Sequence, residues 1–162
     1  MRKFFILIAL TGAAVCLAQT STPHDWENPH VLGINKLPYH ATLQLPSKWK
    51  ECKEIVSLDG QWKFHWSKDP DSRPADFYEE KYDVSGWDDI TVPGNWTTQC
   101  FDKPWYTNVV MPFPNYPPKV PNDNPTGLYR TSFTLPKDWQ GRRVVIHFGG
   151  VESCYFVYLN IS

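Results

Sequence analysis

Apolar and polar residues alternate with period two in several short stretches. In "SLDGQWKFHW", Leu58, Gly60, Trp62, Phe64 and Trp66 fall on one side and Gln61, Lys63 and His65 on the other. That is the signature of a half-buried antiparallel strand. "GLYRTSFTLP" alternates again, predicting Tyr129, Thr131, Phe133 and Leu135 inward, with Arg130, Ser132 and Thr134 outward. "RRVVIHFGG" does the same with Val144, Ile146 and Phe148, and "DDITVPGNW" holds a short strand stopped by Pro93 and Gly94. "CYFVYLN" is apolar on both sides and reads as a central strand. "SKDPDSRPADF" is loop, and no stretch shows a convincing helical period. Short strands separated by turn signals predict an all-β sandwich. The chain stops at Ser162 directly after "CYFVYLN", with no returning strand. The expectation is therefore a sandwich incomplete at its C-terminus, or a piece of something larger, because an open strand edge wants a partner.

Two segments break this pattern. Residues 19–55 carry Pro23, Pro29 and Gly33 among scattered polar residues and read as an extended arm, with Trp26 and Trp49 to tie it down. The second is "YTNVVMPFPNYPPKVPNDNPTGLYR". Seven prolines fall between Pro104 and Pro125. Each fixes φ and removes a backbone donor, so no helix or central strand runs through. The product is a long, stiff, aromatic-rich loop leading into a strand.

The first residues, "MRKFFILIALTGAAVCLAQT", have the form of an export signal: Arg2 and Lys3, an apolar run to about Leu17, and a small residue at Ala18. The organisation expected is a signal peptide over 1–18, the arm over 19–55 and a β-sandwich domain over 56–162, in a periplasmic or secreted protein. Composition narrows the function. Hydrophobic residues make up 41% and aromatics 15%, with eight Trp, enough for a core. The formal charge of −1 gives no electrostatic case for nucleic acid. No 18-residue apolar run follows the signal, so no membrane span is expected. Cys52, Cys100 and Cys154 remain after cleavage, and read as three partly buried thiols; one disulfide is permitted in an oxidising compartment, and no metal-binding spacing occurs.

Catalytic chemistry is thin. Asp88–Asp89 and Glu79–Glu80 are adjacent pairs whose side chains do not converge. The five histidines are scattered, and His65 and His147 fall on the outward faces of strands. No nucleophile elbow, phosphate loop or zinc pattern appears. No catalytic residue is assigned. The aromatic loop can stack on the flat face of a sugar, and it can equally pack against another domain.

The stretches "DWENPHVLGINKLPYHAT", "SLDGQWKFHW", "ITVPGNW", "KPWYTNVVMPFPNYPPKVPNDNPTGLYRTSFTLP" and "IHFGGVESCYFVYLN" occur in this order. Together they resemble the N-terminal part of β-galactosidases of glycoside hydrolase family 2, over nearly the whole chain after the signal. "YTNV" combined with "DNPTGLYR" is the specific feature; "LDGQWKF" occurs more widely in that family. The resemblance implies a galactose-binding-like jelly-roll domain whose proline-rich loop reaches the active site of a separate TIM barrel. It implies that Asn108 helps hold the galactose of a β-galactoside, with Val109 beside it. It also implies a retaining mechanism run by two glutamates, which in such enzymes lie in the barrel, beyond Ser162. The barrel's magnesium, and a sodium associated with the galactose site, are likewise implied only for full-length members, with no ligand carried onto this segment. From the residues alone, Asn108 equally suits a turn, and a free-standing carbohydrate-binding module or a non-catalytic interaction sandwich fits the same pattern.

Overall fold

The computed structural model describes residues 24–38, 48, 51–104, 117–152 and 154–159. Its centre is a three-stranded antiparallel sheet in the order β2-β1-β3, where β1 is Gly60–Ser67, β2 is Asp88–Val92 and β3 is Thr126–Arg130. Short 3₁₀ turns stand at Asp25–Glu27, Pro70–Ser72, Trp96–Gln99 and Lys137–Trp139. Among the described residues there is no α-helix, and the fold is all-β.

The register explains the two faces of β1. Trp62 lies opposite Ile90, and Phe64 lies opposite both Asp88 and Tyr129. Phe64 and Ile90 are fully buried, and each such burial contributes about 1.5–3 kcal/mol. Over Phe64 sits the turn that follows β2. Phe101 meets it edge-on at 4.6 Å and Trp96 at 6.0 Å between ring centroids, while Tyr129 meets it from the neighbouring strand at 4.8 Å. Asn95 caps the Trp96–Gln99 turn, its Oδ1 accepting from the Thr97 backbone N–H at 3.0 Å and from the Thr97 hydroxyl at 2.9 Å.

Gly127 makes this packing possible. A methyl group on its Cα would lie 2.8 Å from Phe64 Cε2 and closer still to the Trp96 ring. The indole rests on bare backbone that only glycine leaves free.

The polar face of β1 is not simply solvated, contrary to the outward placing of His65. Residues 77–87 fold over it. His65 stacks on Trp87 at 5.5 Å, and Tyr82 packs against the same indole at 5.9 Å. Arg130 fixes this cover by donating to the main-chain carbonyls of Glu80 at 2.6 Å and of Phe77 and Tyr82 at 3.4 Å each. Arg130 faces Lys63 across the ladder. The two like charges are accommodated because Lys63 turns to Asp89, its partner on the other side, at 2.8 Å.

Several expected strands are absent from the ladder. β3 ends at Arg130, and residues 131–135 continue without strand pairing. Phe133 and Leu135, expected inward, are exposed; on β3 the buried residue is Leu128, on the opposite face from Tyr129. Residues 143–148 and 154–159 form no strand either, and Tyr155, Phe156, Val157, Tyr158 and Leu159 are all exposed. Alternation or apolarity fits a segment to a sheet, but a ladder also needs a neighbour. Among the described residues only β1 has one on each side.

Cys52, Cys100 and Cys154 are all free, as the reading of three thiols expects, and Cys52 is partly buried; Cys100 and Cys154 differ from that reading in being exposed. Cys100 ends the Trp96–Gln99 turn in the left-handed region at φ 69. Desolvation, with the Asp25 carboxylate nearby, pushes the Cys154 thiol above its ordinary value. The signal region, residues 1–18, lies outside the described residues. No described helix is long and apolar enough to cross a membrane.

Candidate functional site

Asn108 and Val109, the sugar contacts implied by the resemblance, lie outside the described residues, as does the whole of 105–116. The structure does describe both roots of the loop that carries them.

The first root is the Trp96–Gln99 turn and the residues after it. Trp96 and Phe101 lock it onto Phe64. The Phe101 N–H donates to the Trp96 carbonyl at 3.1 Å. Gln99 adds a second tie. Its side-chain amide accepts from the Thr91 N–H at 2.8 Å and donates to the Thr91 carbonyl at 3.0 Å. The amide thereby bonds to β2 as a neighbouring strand would. On its inner side Thr91 faces Gln61, whose Nε2 donates to the threonine hydroxyl at 2.8 Å.

The second root runs from Pro117 to Pro125 and feeds β3. The Pro117–Pro118 bond is cis, as is Val92–Pro93. Here the N-terminal segment comes in. Glu27 Oε1 accepts the Val120 N–H at 3.0 Å, and Glu27 Oε2 pairs with Lys119 Nζ at 2.9 Å. The Val120 N–H first, then Lys119, hold the Glu27 carboxyl below its ordinary value. The described part of the arm is tied by Glu27 as well as by Trp26, which packs edge-on against Phe156 at 6.2 Å; Trp49 lies outside the described residues. Near β3, Thr126 donates its hydroxyl to the Asn124 carbonyl at 3.1 Å. Burial raises the Tyr129 phenol above its ordinary value.

The two acidic pairs of the sequence do not converge in the structure. Asp88 and Asp89 are successive residues of β2, one opposite Phe64 and the other opposite Lys63, so they stand on opposite faces. Both are exposed, as are Glu79 and Glu80. An open hollow of about 440 Å³ beside Trp139 is lined by Leu135, Gln140, Arg142 and Val144 among others, with no carboxylate. Among the described residues no three His, Cys, Asp or Glu side chains gather as a metal site would require.

Glu27, Gln99 and Arg130 are the residues that sequence patterns undervalue. Glu27 sits in an irregular stretch, Gln99 is one polar residue in a turn, and Arg130 reads only as an outward charge. Each of them bonds to main-chain groups, which no residue-type pattern reveals.

Residues 55–162 match the family model described as glycosyl hydrolases family 2, sugar binding domain. The chain is 41% identical over 144 residues to a β-galactosidase of Psychromonas ingrahamii, 40% over 142 residues to one of Photobacterium profundum, and 36% over 142 residues to one of Halalkalibacterium halodurans. The first two alignments cover 84% of this chain and the third 81%. In each case the chain spans only 14% of the relative's length.

Proposed function

The chain belongs to glycosyl hydrolase family 2 through its sugar-binding domain, and from this premise we propose that it serves the hydrolysis of terminal β-D-galactosides. The observation that carries the proposal is the match of residues 55–162 to the sugar-binding domain, together with relatives named β-galactosidase that share 36–41% of aligned residues. In this reading the domain is a jelly roll, and the loop between the two anchored roots presents Asn108 and Val109 to the sugar. An asparagine amide both donates and accepts, which suits the paired donor and acceptor character of sugar hydroxyls. Prolines on either side reduce the entropy lost when such a loop docks. The reaction class is retaining glycoside hydrolysis, which uses two carboxyl groups about 5–5.5 Å apart. No described pair here is assigned to that task. The protein acts in the periplasm or outside the cell, with its mature N-terminus near Gln19; this rests on the "MRKFFILIAL" head.

The test is hydrolysis of a nitrophenyl β-galactoside by the protein expressed from its own gene, native and Asn108→Ala. The substitution is expected to lower kcat/KM by about tenfold or more while leaving the unfolding midpoint nearly unchanged. The 162-residue polypeptide alone is expected to give no turnover. An unchanged kcat/KM in Asn108→Ala would reduce that residue to a turn former. Mass spectrometry of exported material reads the N-terminus, and an intact Met1 on a cytoplasmic product refutes export.

A further inference from the structure

We infer that Glu27 is a positioning residue for the proline-rich loop: by holding Val120 it fixes the loop's C-terminal root and thereby sets how the loop meets a sugar. This rests on the reading that Asn108 contacts the sugar.

The argument begins with the backbone. In Pro117-Pro118-Lys119-Val120-Pro121 only Lys119 and Val120 carry a main-chain N–H. Such a stretch has almost nothing to offer a strand ladder. A side-chain acceptor arriving from elsewhere is the available means of holding it, and Glu27 is that acceptor, at 3.0 Å from the Val120 nitrogen. The bond is charge-assisted, and a carboxylate that also meets an ammonium is held in orientation by both. The two partners differ in weight. Lys119 is 71% exposed, so its ion pair is well screened, whereas the Glu27 side chain is only 11% exposed. The Val120 bond therefore does most of the holding.

Glu27 is itself well placed to serve as a fixed point. It closes the 3₁₀ turn Asp25–Glu27, and its own N–H donates to the His24 carbonyl at 3.1 Å. The following residue closes the turn again, the Asn28 N–H donating to the Asp25 carbonyl at 3.1 Å. Trp26, between them, stacks on His24 at 4.6 Å and meets Phe156. Contacts to the loop root span 92 and 93 residues of sequence, so they join two segments that nothing local would bring together. The first root is held independently by Trp96, Phe101 and Gln99, so Glu27 supplies the matching tie at the second. An apparent affinity falls in proportion to the fraction of the protein in the binding-competent state.

The experiment uses the protein expressed from its own gene, with Glu27→Ala, Glu27→Gln, Lys119→Met and Asn108→Ala compared by steady-state galactoside hydrolysis. Glu27→Ala is expected to raise KM by about three- to tenfold with kcat within about twofold, the pattern of a reduced competent population. Glu27→Gln keeps a carbonyl oxygen for the Val120 N–H and is expected to recover most of the native KM, as is Lys119→Met. A general loss of fold would not divide KM from kcat in this way, nor be rescued by the amide. If Glu27→Ala keeps the native KM while Asn108→Ala loses activity, the inference is overturned and the reading of the loop stands. If neither substitution has an effect, or the native protein hydrolyses no galactoside, both fall. Should Glu27→Ala fail to fold, hydrogen exchange at Val120 decides: protection in the native protein and in Glu27→Gln supports the inference, and free exchange in the native protein overturns it.

Discussion

Gly127→Ala adds one methyl group to β3 where the Trp96 indole lies against the backbone. The new carbon would sit 2.8 Å from Phe64 Cε2, 2.5 Å from Trp96 Cε3 and nearer still to Trp96 Cζ3. Carbon atoms rest at about 3.5–4.0 Å, so something must retreat by about an ångström. Phe64 has nowhere to go, being fully buried and ringed by Phe101 and Tyr129. Trp96 must therefore move, taking with it the turn that Asn95 caps. Overpacking of this kind costs about 1–3 kcal/mol. Against that, replacing glycine removes freedom from the unfolded chain and returns about 0.4–1 kcal/mol. The net expectation is a loss of about 1–2 kcal/mol. With a urea m-value of about 2 kcal/mol/M, the midpoint falls by about 0.5–1 M. Circular dichroism reads the transition. Gly86→Ala, at a turn position with open space around its Cα, is the control and should shift little. Trp96→Leu in the Gly127→Ala background should recover part of the loss, a coupling visible in a double-mutant cycle. Equal midpoints for Gly127→Ala and Gly86→Ala would refute the packing argument.

Three further outcomes follow from single contacts. Ser67 is buried at 4% exposure with its hydroxyl unpaired, so Ser67→Ala is expected to be neutral or to stabilise by up to about 1 kcal/mol in the same urea titration; a clear loss would reveal a hidden partner. Gln99→Leu keeps the bulk but not the amide, and should cost about 1 kcal/mol through the two lost bonds to Thr91, with faster amide exchange there as the specific readout. Asp69 is held below its ordinary value of 3.8, first by the Ser72 hydroxyl, so its folded-state value is the depressed one. Its contribution is present above 3.8 and is lost only as pH falls through the lower folded value; proton NMR of Asp69→Asn should show no such acid transition in the Pro70–Ser72 turn, while the native chain does.

The sequence carries β1 and β2 plainly. Alternation around Trp62 and Phe64 marks the inner face, and Pro93 with Gly94 marks the end of β2. β3 is legible only in its first half. From Thr131 onward, and in 143–148 and 154–159, the same kind of pattern predicts strands the ladder does not contain, because side-chain sidedness says nothing about a hydrogen-bonding neighbour. The cover over His65 is invisible for a related reason. Arg130 secures it through three carbonyls, and a carbonyl belongs to every residue alike. Glu27 escapes because its partner lies 93 residues away. As for the site, Asn108 and Val109 come from the resemblance of "YTNV" and "DNPTGLYR", not from periodicity or spacing.

The Gln99 amide has a consequence for how this sheet can grow. A β-sheet extends only where an outer strand offers a free donor and acceptor in step with the incoming chain. At Thr91, both groups are already taken by a side chain that imitates a strand but cannot be followed by another. β2 is therefore blocked near its C-terminal end, and a newcomer there would have to displace Gln99 before bonding to Thr91. The outer edge of β3 carries no such plug among the described contacts. Pairing of a further strand at this end of β2 therefore costs the two Gln99 bonds, a cost that the described contacts do not impose on the outer edge of β3.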